Sequence, residues 1–146
     1  MTDRYPSAIV DLVSRAVTPA IQLFALYVVF HGHYSPGGGF QGGVLLTASI
    51  ILLRLTQGRE ESFRSFPTSL AMALAALGVL LFILTGLASM FLGGAFLDYA
   101  YLPSLGASEP VLRYFGILTV EVGVALAVWG TLVIIYDQLG TREEDV

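Results

Sequence analysis

The sequence predicts an all-α integral membrane protein that crosses the bilayer four times. Three observations support this fold class. Hydrophobic residues make up 55% of the chain and charged residues 12%, with a mean hydropathy of +0.78, whereas a soluble domain usually carries about 25% charged residues. Four apolar runs approach or reach the length of a hydrocarbon core. The arginines fall almost entirely on one side of those runs.

The runs cover residues 12–30, 40–55, 70–92 and 114–136. A helix needs about 20 residues to cross a ~30 Å core at ~1.5 Å per residue. The first run, with Arg15 and Pro19 near its start, meets that need, as do the third and fourth. The second has 16 residues, or about 24 Å as a helix. Either this helix begins inside the glycine-rich stretch before it, or that stretch dips below the interface. Irregular backbone at such depth survives only beside protein or a water-filled cavity.

All seven basic residues are Arg. Arg4 and Arg15 lie at the start of span one, Arg54, Arg59 and Arg64 between spans two and three, and Arg142 after span four. Only Arg113 falls on the other side. The positive-inside rule then puts both termini and the 56–69 loop in the cytoplasm, with the 31–43 stretch and the 93–113 loop outside. Residues 1–7 show no apolar core with a small-residue cleavage site, so no signal peptide is expected. Gly58 suits a helix C-cap. Ser108, Glu109 and Pro110 suit a helix start. Tyr99, Tyr101 and Tyr114 fit an outer aromatic belt, and Tyr136 an inner one.

Residues 31–43 read His-Gly-His-Tyr-Ser-Pro-Gly-Gly-Gly-Phe-Gln-Gly-Gly. Gly37, Gly38 and Gly39 open backbone conformations closed to other residues, and Pro36 biases Ser35 toward an extended form. Small residues recur on the spans: Gly39, Gly43 and Thr47 on the second, Ala71, Ala75, Gly78 and Gly86 on the third, Gly116, Gly123 and Gly130 on the fourth. They let helix backbones approach closely, and their number predicts at least one foreign helix as partner. Glu121 is the one acid deep in a span, about 160° around the helix from Gly123. It must be protonated, paired or hydrated there. Two readings stand side by side: a proton or cation relay, and a hydrogen-bonded carboxyl at an interface between proteins. Asp11 and Arg15, four residues apart, should pair. Asp98 and Asp137, at span ends, are expected to be solvated.

Several chemistries are excluded or disfavoured. With no cysteine there are no disulfides, thiolate metal sites or Cys-ligated clusters. His31 and His33 alone do not complete a metal site. No Lys-Ser or Lys-Thr follows Gly42 and Gly43, so the stretch is not a phosphate loop. No nucleophile–base arrangement can be drawn, and no basic stripe suggests nucleic acid. Neither an enzyme nor a resident cofactor is expected.

The run Leu23-Phe24-Ala25-Leu26-Tyr27 followed by residues 31–43 resembles the signature of the B subunit of Mrp-type multisubunit Na⁺/H⁺ antiporters, and related subunits occur in membrane-bound hydrogenase-type complexes. The resemblance covers nearly the whole chain. It implies a small subunit of a large inner-membrane assembly that exchanges Na⁺ for H⁺, with other membrane subunits as partners. It implies that His31, His33, Pro36, Gly37, Gly38, Gly39, Phe40, Gly42 and Gly43 form a sensitive turn and interface, while Glu121 rests on the physical argument alone. The alternatives are the equivalent subunit of a redox-driven complex and a self-sufficient small transporter coupled through Glu121.

Overall fold

The computed structural model describes residues 7–32, 34, 37–57, 59–103, 106 and 108–141. Five α-helices and one 3₁₀ turn follow in order: α1 Ala8–Phe30, α2 Gly38–Gln57, α3 Arg59–Ser65, α4 Thr68–Phe91, the 3₁₀ turn Tyr99–Tyr101, and α5 Glu109–Thr141. Four of them, α1, α2, α4 and α5, are long and apolar enough to cross a membrane.

The helices outrun the sequence-based spans at six of their eight ends. α2 begins at Gly38, inside the glycine-rich stretch, and its 20 residues give about 30 Å. Gly37 at φ +145° and Gly38 at φ +61° make the reversal from α1, a path that side-chain-bearing residues resist. α5 begins at Glu109, next to Ser108, whose carbonyl accepts the first helical N–H groups from Val111 and Leu112. Its 33 residues give about 50 Å, so it projects beyond a ~30 Å core.

Two elements went unread in the sequence, the 3₁₀ turn and α3. The 56–69 segment is not a plain loop, because it contains α3, which tucks Ser62 and the following Phe66 against the other helices. A seven-residue polar helix carries no long apolar run to betray it. Gly58, expected as a cap, lies outside the described residues.

The helices pack in the order α1–α2–α5–α4, with α1 touching α5 only lightly. α2 is the most enclosed of the four, and α1 and α4 occupy the ends of the row. Every shared seam is built from glycine. Gly42 admits Val29 and the Ala25 carbonyl of α1, and Gly43 admits Ala125 and Val128 of α5. Gly78 and Gly130 bring α4 and α5 together, backbone against backbone. A side chain at these points would hold the axes apart and forfeit the dispersion contacts that drive helix association in lipid. The small faces are therefore filled largely by this chain, so their number does not by itself call for a foreign helix.

α2 and α5 run parallel and keep one register. Gly38 lies beside Glu121, the Thr47 hydroxyl faces the Trp129 carbonyl at a sequence separation of 82, and Arg54 meets Asp137 at a separation of 83. So constant an offset over about 24 Å of helix means that the two axes barely diverge. Ile50, Phe66, Ala71 and Val133 form a dry core toward the α3 end, where the Phe66 and Trp129 rings lie 5.1 Å apart.

Candidate functional site

The α1–α2 turn and Glu121, far apart in sequence, form one site. A Cβ added to Gly32 would stand 2.5 Å from Glu121 Oε1 and 2.9 Å from its Cδ. One added to Gly38 would stand 2.9 Å from the same Oε1. Gly39 lies against the Glu121 backbone carbonyl. Two glycines thus hold open the space that the carboxyl fills, and a third lets α2 approach the α5 backbone. Glu121 Oε2 is shut off from solvent.

A neighbour of this turn is α5 of the same chain. The physical reason is the α2–α5 register, which brings Gly38 and Glu121 to one level. The remaining motif residues divide by face. Gly42 and Gly43 sit in the two seams of α2. Phe40 is 63% exposed and points away from the row. Gly37 has the Gln41 side chain where a Cβ would be. His31 is exposed; its ring stacks on Tyr27 at 4.2 Å and its Nδ1 lies 3.1 Å from the Tyr27 carbonyl. His33, Ser35 and Pro36 lie outside the described residues.

The segment before α5 closes the site from the other side. The Tyr99 ring lies over Gly116, with Cδ1 2.5 Å from where a Cβ would stand, so it turns inward instead of joining an aromatic belt. Burial pushes the Tyr99 phenol up, and the nearby Glu121 charge adds to the shift. Asp98 is not simply solvated: it caps the 3₁₀ turn by accepting from the Ala100 N–H at 3.3 Å.

A second charged cluster was missed. Asp137, expected to be solvated, is buried at 6% exposure, and so is Arg54 at 7%. Arg54 Nη2 donates to Asp137 Oδ2 at 3.0 Å, and Nε stands 3.0 Å from Oδ1. Arg54 Nη2 also donates to the Phe66 carbonyl at 3.1 Å, Thr68 Oγ1 donates to Asp137 Oδ2 at 3.2 Å, and the Phe63 ring lies under the guanidinium at 4.0 Å. The cluster ties α2, α3, α4 and α5. Arg54 and Asp137 occupy equivalent ends of spans two and four, and that equal depth was the available signal. By contrast, the expected Asp11–Arg15 pair forms at 3.0 Å, and Arg15 reaches on to Glu61 of α3, also at 3.0 Å; these groups are about half exposed.

Among the described residues no group of three or more His, Cys, Asp or Glu side chains could hold a metal ion. What the arrangement offers is a carboxyl within a row of helices long and apolar enough to span a membrane, next to a glycine-lined turn with His31, Tyr34 and Gly37 exposed.

The fold and site define a small multi-pass membrane protein that covers its intramembrane charges with its own helices. Residues 9–134 match the family described as a domain related to the MnhB subunit of Na⁺/H⁺ antiporter. The chain is 33% identical over 131 residues to the B subunit of the Na⁺/H⁺ antiporter of Bacillus subtilis, covering 85% of this chain and 91% of that protein. It is 31% identical over 123 residues to the protein of the same name from Alkalihalophilus pseudofirmus, covering 80% and 85%. The chain belongs to the MnhB family.

Proposed function

We propose that this chain is one component of a multisubunit Na⁺/H⁺ antiporter, lodged in the cytoplasmic membrane beside other membrane subunits. The observation that carries this reading is the family relationship, which extends over most of both chains. It favours the antiporter over the redox-driven complex and over a transporter that works alone. The packing order is consistent with it. α1 and α4 end the row with large apolar side chains outward, including Leu23, Phe24 and Tyr27 on α1 and Leu77, Leu80 and Leu84 on α4. Such faces suit either lipid or neighbouring helices. The arginine distribution supports cytoplasmic termini.

The test is co-purification of the tagged chain in mild detergent, with Na⁺/H⁺ exchange measured in everted vesicles from cells that carry or lack it. The expected result is recovery with several larger membrane subunits and loss of exchange on deletion. Recovery as a lone monomer, with exchange intact in the deletion strain, overturns the proposal.

A further inference from the structure

Glu121 stands opposite the glycines of the α1–α2 turn. Gly32 and Gly38 leave a space that the carboxyl occupies, and neither could carry a side chain without displacing Oε1 or the turn itself. A carboxyl fitted this closely is held at a fixed place against one turn of backbone. Beyond that turn lie the exposed Gly37, His31 and Tyr34, so the carboxyl stands one turn of backbone from exposed residues. Toward the opposite end of the row the packing is dry: Ile50, Phe66, Ala71 and Val133 close it. Between α1 and α5 lies a cavity of about 430 Å³, lined mostly by apolar side chains such as Val29, Leu46 and Val122, with Gln22, Ser62 and Ser65 as its polar members and no titratable group. Among the described residues, the titratable side chains at this end of the row are Tyr27, His31 and Tyr34 at the α1–α2 turn, Asp98, Tyr99 and Tyr101 at the 3₁₀ turn, and Glu109, Arg113 and Tyr114 at the start of α5.

We propose that the Glu121 carboxyl, seated between Gly32 and Gly38, is a proton-binding site of the assembly, loaded through the α1–α2 turn. The site rests on the antiporter reading above. The step is a simple one: the carboxylate takes one proton from hydronium at the turn, leaving water, and on release gives that proton back to water as hydronium. The acid is needed for this exchange, whereas a purely structural carboxyl could be replaced by an amide of the same shape. The glycines are then positioning residues, because they decide where the carboxyl stands.

The test uses the intact complex. Dicyclohexylcarbodiimide reacts with protonated carboxyls in apolar surroundings, and peptide mass spectrometry locates the adduct. Glu121 is expected to be labelled, with labelling falling as pH rises, while the exposed Glu61 and Glu109 stay unmodified. Glu121→Gln should leave complex yield unchanged and lower Na⁺/H⁺ exchange by roughly 10²-fold, the low end for removing a proton-transfer group. Glu121→Asp should restore part of the exchange with a displaced pH profile. An intact complex with Glu121 unlabelled at every pH, or Glu121→Gln exchanging at the parental rate, overturns the site and leaves the antiporter reading standing. Should Glu121→Gln fail to assemble, the labelling of the parental complex decides. A chain that is labelled but never recovered with other subunits overturns the antiporter reading instead.

Discussion

Replacing Asp137 by Asn should destabilise the chain more than any surface change. The substitution keeps the shape and removes the charge that balances Arg54. Both side chains are almost fully enclosed, at 3% and 5% exposure. The guanidinium cannot turn to water, and its ties to the Phe66 carbonyl and the Phe63 ring do not carry a negative charge. Removing one partner of such a pair typically costs about 3–5 kcal/mol, because the buried ion loses the contact that balanced its charge. At ~3 kcal/mol the melting midpoint of a chain this size should fall by roughly 10 °C. The lone tryptophan supplies the assay. Trp129 packs on Phe66, whose carbonyl is bound by Arg54, so Trp129 fluorescence reports directly on the elbow between α3 and α4. The double variant Arg54→Met, Asp137→Leu should recover most of the loss, since apolar replacements of a buried pair are often neutral or better. An unchanged melting curve for Asp137→Asn, or a double variant no better than the single, would refute the reasoning.

Three further outcomes are expected. Gly43→Val should lower thermal stability by about 1–3 kcal/mol through overpacking, because its Cβ would stand 2.7 Å from the Ala125 carbonyl oxygen and 2.9 Å from Val128 Cβ; an unaltered detergent melting curve contradicts the close α2–α5 seam. Glu61→Gln breaks an ion pair whose partners are 50% and 59% exposed, and exposed pairs contribute little, so its melting curve should match the parent's; a drop as large as that of Asp137→Asn would show that burial does not decide. Because the chain has no cysteine, Tyr34→Cys and Ser65→Cys give clean labels, and an impermeant maleimide applied to intact cells should modify position 34 and spare position 65. The reverse pattern would invert the proposed orientation.

Much of the fold was legible because hydrophobic length is a property of consecutive residues. The four spans, the helix start at Glu109 and the Asp11–Arg15 pair all follow from neighbours within a few positions. What escaped depends on residues far apart. Nothing near Asp137 announces Arg54, 83 positions away, so its burial could be found only by matching depths across two spans. The glycine stretch and Glu121 were both singled out, yet their meeting was not, since the parallel register of α2 and α5 exists only after α3 and α4 have carried the chain back across the bilayer. The small residues were read correctly as contact points, but counting them could not tell whose backbone they would touch. α3 is too short and polar for any periodicity to expose it, and its buried Ser62 and the Phe66 that follows it look ordinary in a loop.

The shared register also separates the two acids of α5 by function. Glu121 and Asp137 are 16 residues apart, and so are their α2 counterparts, Gly38 and Arg54, so the same helix pair presents an acid to a glycine at one level and to an arginine about 24 Å away. An acid held by an arginine, a threonine hydroxyl and a closed apolar shell has its charge committed to that contact, and freeing it to trade protons would first cost the buried pair. An acid seated against glycine, one turn of backbone from exposed residues, is placed to take up and release a proton. Asp137→Asn should therefore reduce the amount of intact complex while leaving the exchange rate per complex near that of the parent, and Glu121→Gln should do the opposite. The two substitutions make the same chemical change on the same helix, so stability loss confined to Glu121, with exchange loss confined to Asp137, would require the roles assigned to the two ends of α5 to be interchanged.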